Sequence, residues 1–374
     1  MRRDVIEAEL LHWMREGATA KQDPERFERL ALELFAFQFE ACAPYARLCE
    51  SLDRRPGQVS CVEEIPAVPT GAFKEFELRC FEAEDVIKTF RTSGTTLERR
   101  GELHLDTLAL YEASLLASLR RCLLPGLSGR DPAMHFLAPS PNEAPDSSLT
   151  HMFDVLRREE GASCSAFYLH AGQLALESFT EAVSRAQRLK TPALIAGTSF
   201  AFVHFLDATR TDPDRWQLPG GSRVMETGGF KGRSRSVPRE ALRREIANRF
   251  GLTERDVVNQ YGMTELGSQF YDSTLVDRGG PRRKLSPPWA RVRLVDPESG
   301  RNVAPGETGM IVIHDLANSG SIAAIQTADV GRAVLDEEGH IVGFDVIGRE
   351  AGAEARGCSI ATDAMLEAAG GARR

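Results

Sequence analysis

Thr92-Ser93-Gly94-Thr95-Thr96 and, far downstream, Tyr261-Gly262-Met263-Thr264-Glu265 are the two stretches on which the fold of this chain turns. The first is a run of hydroxyl residues around one glycine, flanked by Arg91 and by Glu98-Arg99-Arg100. Backbone N–H groups and hydroxyls in such a loop can cradle a polyphosphate, and the glycine lets the main chain come close. No Walker lysine follows it, so the run taken alone also fits an ordinary Ser/Thr turn. The second stretch brings an aromatic face, a glycine, a hydroxyl and a carboxylate together. Those are the parts needed to stack a base, touch a phosphate and hold Mg²⁺. A strand-end turn with a solvated glutamate would use the same residues.

Around these stretches the chain alternates strand and helix signals. Met134–Ala138 and Ala193–Gly197 read as buried strands, and Leu176, Phe179, Val183 and Ala186 as one helical face. Pro238 opens a helix carrying Leu242, Ile246 and Phe250, which Gly251 closes. Val257-Val258-Asn259-Gln260 then reads as a strand delivering Tyr261 at its C-terminal end, where ligands bind in open α/β sheets. This order predicts α/β layers with a largely parallel sheet. Residues 1–88 read as mainly helical, with Asp23-Pro24 as a helix start ahead of Phe27, Leu30, Ala31, Leu34 and Phe35 at helical spacing. From Pro287 the pattern becomes β-rich, with turns at Asp296–Gly300 and Asp336–Gly339. The expected division is a helical part over 1–88, an α/β nucleotide-binding core over 89–286, a β-rich subdomain over 287–346 and a short tail over 347–374.

The bulk numbers are those of an ordinary globular protein. At 374 residues the chain is long enough for two or three domains, and 42% hydrophobic with 27% charged residues is unremarkable. A net charge of −8 makes no case for nucleic acid or an anionic membrane surface. No apolar run approaches a membrane span, and the N-terminus has no signal-peptide core. The cysteines at 42, 49, 61, 80, 122, 164 and 358 contain no C-x-x-C pair and read as reduced thiols of a cytoplasmic protein. The histidines form no metal-ligand spacing. Oligomeric state stays open.

In their order along the chain, the two leading stretches resemble the core motifs of the adenylate-forming superfamily, which activates carboxylic acids with ATP. Thr227-Gly228-Gly229 resembles the loop along the adenine in that superfamily. Thr327-Ala328-Asp329 resembles its T-G-D segment, with alanine for glycine, and Ile347-Gly348-Arg349 its hinge. Within it, Asp146-Ser147-Ser148-Leu149 with His151-Met152, Thr227–Gly232, and Arg356-Gly357-Cys358-Ser359 are similar to the acyl-protein synthetase family of the bacterial bioluminescence fatty-acid reductase complex. One departure from ordinary superfamily members fits that narrower likeness. Only 25 residues follow Arg349 and no lysine follows Lys284, whereas those members carry a longer mobile domain with a transition-state lysine.

The resemblance implies the large-domain fold of adenylate-forming enzymes, with the small C-terminal domain largely absent. It implies ATP and Mg²⁺ as cofactors, a fatty or related carboxylic acid as substrate, and an acyl-accepting reductase as partner. Pyrophosphate is expected at Thr92, Ser93, Gly94, Thr95 and Thr96, and adenine at Gly228, Gly229, Tyr261 and Gly262. The α-phosphate falls to Thr264, Mg²⁺ to Glu265, the ribose to Asp329, and the hinge to Arg349. Lys231 is expected to reach the phosphates or the substrate carboxylate in place of the missing lysine; a solvated basic face with Arg233 and Arg235 is its other reading. Cys358 is expected to take the acyl group as a thioester, with Arg356 favouring the thiolate; a lone cysteine is otherwise a small hydrophobe, as the other six are read. Phe200, Phe202, His204 and Phe205 fit either an acyl pocket or a core face. Two alternatives stand beside this activity: a truncated ligase acylating coenzyme A or a carrier-protein thiol, and a non-catalytic nucleotide-binding subunit.

Overall fold

A computed structural model describes residues 2–19, 22–93, 99–127, 131–211, 215–228 and 237–349. The chain forms two compact units: Met1–Ser118 with Met263–Gln269 and Arg283–Arg374, and Leu119–Gly262 with Phe270–Arg282. The second stretch of the opening pair therefore straddles a boundary, with Tyr261 and Gly262 in the latter unit and Met263, Thr264 and Glu265 in the former.

The latter unit is an α/β layer. Strands Ala166–His170, Ala133–Pro139, Ala193–Thr198, Arg223–Thr227 and Val257–Tyr261 lie side by side in that order, all parallel. Short antiparallel strands, Gln173–Leu174 and Phe270–Asp272, close its two sides. Near-continuous apolar runs such as Ala193–Gly197 are what a sheet covered on both faces requires. The helix faces read from periodicity, Phe179–Val183–Ala186 and Leu242–Ile246–Phe250, are buried in one cluster with Ile195 and Val224. Phe205 and Phe250 stack inside it with ring centroids 5.5 Å apart. Ser147 accepts from Thr150 N at 3.2 Å and caps the helix Ser148–Glu160, so Asp146-Ser147-Ser148 is a helix start here.

The former unit opens with helices Arg3–Glu16, Pro24–Ala41 and Ala43–Ser51. Asp23 accepts from Arg26 N at 3.0 Å, the cap expected ahead of Pro24 and worth about 1 kcal/mol. Phe27, Leu30, Ala31, Leu34 and Phe35 are all buried, as their spacing predicts. The β-rich part is an antiparallel array ordered Ala290–Val295, Thr308–Asp315, Ala324–Leu335, Ile341–Arg349 and Lys284–Leu285. Val68–Pro69 adds a parallel pairing to Ala324–Leu335. The hydroxyl-rich stretch falls inside a hairpin that the sequence did not announce, between strands Lys88–Arg91 and Glu102–Leu105.

Among the described residues no helix is long and apolar enough to cross a membrane. The six described cysteines form no disulfide with one another. Four of them are buried packing residues as expected, but Cys164 is exposed and Cys61 half-buried, which corrects the uniform packing assignment.

Candidate active site

In the unit holding Glu265, the strands of the hairpin end at a tight neck. Thr92 N donates to Gly101 O at 2.9 Å, and Gly101 N donates to the Thr92 hydroxyl at 2.9 Å. Arg100 Nε adds a bond to Thr92 O at 2.6 Å. Ser93, next along, is exposed. Gly101 itself is buried, and a methyl group placed on it would sit 3.2 Å from Thr92 Cγ2 and 3.6 Å from Glu265 Oε1. The Glu265 carboxylate thus lies against the base of the hydroxyl-rich loop, although 173 positions separate it from Thr92 in the sequence. Glu265 is 7% exposed and Thr264 half-buried, which rejects the picture of a freely solvated turn glutamate.

Two further expected residues of this unit meet each other. Asp329 and Arg349 are register partners on adjacent antiparallel strands, with Arg349 Nε 3.6 Å from Asp329 Oδ1. Asp329 N donates to the Thr327 hydroxyl at 3.1 Å, and that hydroxyl donates to Ile311 O at 2.9 Å. Thr327 therefore pins the strand that presents Asp329, and Ala328, in place of glycine, lies in a stretch between Gln326 and Val330 where the pairing with Thr308–Asp315 shifts register.

In the other unit, Tyr261 ends its strand as expected and pairs with Phe270, their rings 6.2 Å apart. Gly228 follows the neighbouring strand at φ 85°, a conformation L side chains rarely adopt. Beneath it lies a polar cluster at the C-terminal ends of three parallel strands. Ser199 Oγ bonds Glu226 Oε2 at 2.5 Å and Gly228 O at 2.9 Å, and Asn259 Nδ2 donates to Glu226 Oε1 at 2.6 Å. Thr227 hydrogen-bonds the Gln260 side chain in the same layer. Ser199, Glu226 and Asn259 were not anticipated; the only signal was a carboxylate at the end of the apolar run Val224–Met225.

Phe202 and Phe205 are fully buried in the apolar cluster, while Phe200 and His204 point outward. The core-face reading holds for that helix, and these four do not line one common pocket. Gly94, Thr95, Thr96, Gly229, Lys231 and Cys358 lie outside the described residues.

No group of three metal-ligating side chains occurs among the described residues. Glu265 alone fits Mg²⁺ nonetheless, because that ion commonly takes one or two carboxylates and fills its octahedron with phosphate oxygens and water.

The architecture is that of the large domain of adenylate-forming enzymes, an α/β fold with mixed sheets. A 2-hydroxyisobutyryl-CoA ligase in complex with 2-HIB-AMP and CoA superposes with TM-score 0.64 at 17% identity, over 90% of this chain and 70% of that one. An open conformation of such a ligase gives TM-score 0.60 at 14% identity, over 86% and 74%. The family model described as acyl-protein synthetase, LuxE, matches residues 4–367, and the chain belongs to that family of adenylate-forming ligases. A long-chain-fatty-acid–luciferin-component ligase of Aliivibrio fischeri is 24% identical over 315 residues, covering 83% of this chain and 80% of that protein.

Proposed function

We propose that this enzyme uses ATP to convert a fatty acid to an acyl-adenylate, carries the acyl group on Cys358, and delivers it to a reductase partner in the cytoplasm. Family membership and the likeness to a fatty-acid ligase support the substrate class. The observation that carries the reading at the site is the Glu265 carboxylate held against the neck of the Thr92–Thr96 loop.

In the first step a carboxylate oxygen of the acid attacks the α-phosphorus, and the bond to the bridging oxygen breaks to release pyrophosphate. Ser93, Thr95, Thr96 and the loop N–H groups hold the leaving pyrophosphate, and Thr264 holds the α-phosphate. Tyr261, Gly228 and Gly229 flank the adenine, and Asp329 bonds the ribose hydroxyls, with Arg349 beside it. Mg²⁺ bound at Glu265 would supply charge neutralisation on the phosphates. Lys231 supplies a cation to the phosphates or the substrate carboxylate. In the second step the Cys358 thiolate attacks the acyl carbonyl carbon, the bond to the AMP oxygen breaks, and AMP leaves.

Fatty-acid-dependent exchange of labelled pyrophosphate into ATP tests the first step separately from the second. Exchange that requires both the acid and Mg²⁺ supports the proposal. Absence of exchange across a panel of acids would favour a nucleotide-binding subunit without catalysis.

A further inference from the structure

Glu265 sits in Met263–Gln269, a segment with no helix or strand of its own to fix it. It is held from the side by the end of strand Thr308–Asp315 and the turn that follows. Asn318 Nδ2 donates to the main-chain carbonyl of Glu265 at 2.7 Å. Three residues on, Ser268 N and Ser268 Oγ both donate to the Asp315 carboxylate, at 2.7 and 2.6 Å. Ser268 Oγ also meets Ser114 Oγ at 2.9 Å, which accepts from Trp289 Nε1 at 2.8 Å.

Packing closes the same contact. A methyl group on Gly267 would lie 2.9 Å from Ala317 Cβ and 3.0 Å from Asn318 Oδ1, so only glycine lets the two segments approach this closely. The turn is in turn fixed from the N-terminal helices. Gln38 Nε2 donates to Asn318 O at 2.9 Å, and Gln38 Oε1 accepts from Ala323 N at 3.1 Å. Gln38, Asp315 and Asn318 are all at most 2% exposed. Two buried polar side chains from one strand end and its turn, Asp315 and Asn318, thus hold the few residues that carry Glu265, and Gln38, from a distant helix, holds that turn.

We infer that Asn318 and Asp315 are positioning residues for Glu265, fixing its main-chain carbonyl and the chain three residues on, with Gln38 holding Asn318 in place. The inference rests on the proposal that Glu265 binds the divalent cation. Groups that orient a metal-binding carboxylate commonly govern affinity by about 10- to 100-fold without touching the metal.

Mn²⁺ binding in the presence of α,β-methylene-ATP, followed by electron paramagnetic resonance, provides the test. Asn318→Ala should weaken Mn²⁺ binding about tenfold or more, while metal-free nucleotide affinity stays within error of the parent. Folded Asn318→Ala that binds Mn²⁺ like the parent would overturn the inference and leave Asn318 a purely structural residue. Should Asn318→Ala not fold, Gln38→Met decides: weaker Mn²⁺ binding supports the inference, and unchanged binding overturns it. Glu265→Gln separates the two levels. If that variant also binds Mn²⁺ normally, the cation does not sit at Glu265; if only Glu265→Gln loses Mn²⁺, the cation site stands and the positioning role fails.

Discussion

Gly101 donates its backbone N–H to the Thr92 hydroxyl at 2.9 Å, and the Glu265 carboxylate faces the same glycine, 3.6 Å from where a methyl group on it would sit. A local hairpin contact and a long-range contact therefore meet at one point, at the foot of the hydroxyl-rich loop. The threonine closes the neck, the buried glycine makes room, and the glutamate comes from the distant segment Met263–Gln269.

Thr92→Val keeps the volume but removes the acceptor of Gly101 N. A lost hydrogen bond of this kind costs about 1 kcal/mol of stability, and the KM for ATP should rise because the neck is no longer closed. Thr92→Ser restores the acceptor and should recover the parent KM. An unchanged KM in Thr92→Val would separate the neck from nucleotide binding.

Glu265→Gln should lower the rate of fatty-acid-dependent pyrophosphate exchange on the order of 100-fold or more, with the thermal transition nearly in place. Stopped assays at saturating ATP check this. A rate within a few-fold of the parent would assign the carboxylate a structural role.

Asp315 is buried among donors: Ser268 N, Ser268 Oγ and Ala317 N. Burial raises its pKa, while those hydrogen bonds act in the opposite direction. Asp315→Asn turns one acceptor into a donor facing these groups. Guanidinium chloride unfolding should show a loss of about 2–3 kcal/mol. A variant as stable as the parent would mean that the network carries little of the fold.

His135 and His314 are buried neutral, and desolvation is the leading cause of their depressed pKa values, about 4 and about 3. Their unfolded counterparts titrate near 6.5. The unfolded chain therefore takes up protons first as pH falls. The stability this difference contributes is complete above about pH 6.5 and is lost progressively toward pH 4 and 3, by about 1 kcal/mol per unit for each histidine. Unfolding curves at pH 7.5 and 5 measure it. His314→Gln, which cannot titrate, should show a shallower decline over that interval than the parent.

Much of the fold was legible because it is written locally. The Asp23 cap, the helical face from Phe27 to Phe35 and the apolar strand Ala193–Gly197 all lie where period and punctuation place them. Tyr261 at its strand end was equally readable, since residue type and position agree. The hairpin around Thr92 was not, because Glu102–Leu105 is short and its pairing partner lies across the loop. Asn318 and Asp315 left no signal either. Each reads as an ordinary turn or strand-end polar residue, and its meaning comes only from contacts 53 and 47 positions away. Long-range polar pairing has no period, so a single sequence does not display it. The pair Phe202 and Phe205 shows the converse difficulty: a helical apolar face looks the same whether it lines a pocket or fills a core.

The most direct test of the proposed reaction is the intact mass of the purified protein after incubation with Mg-ATP and a panel of fatty acids, with Cys358→Ser alongside. The expected result is a gain of one acyl group, released by neutral hydroxylamine and absent from the variant. Formation of acyl-AMP with no gain of mass in either protein would contradict self-acylation and assign the acyl group to an outside thiol.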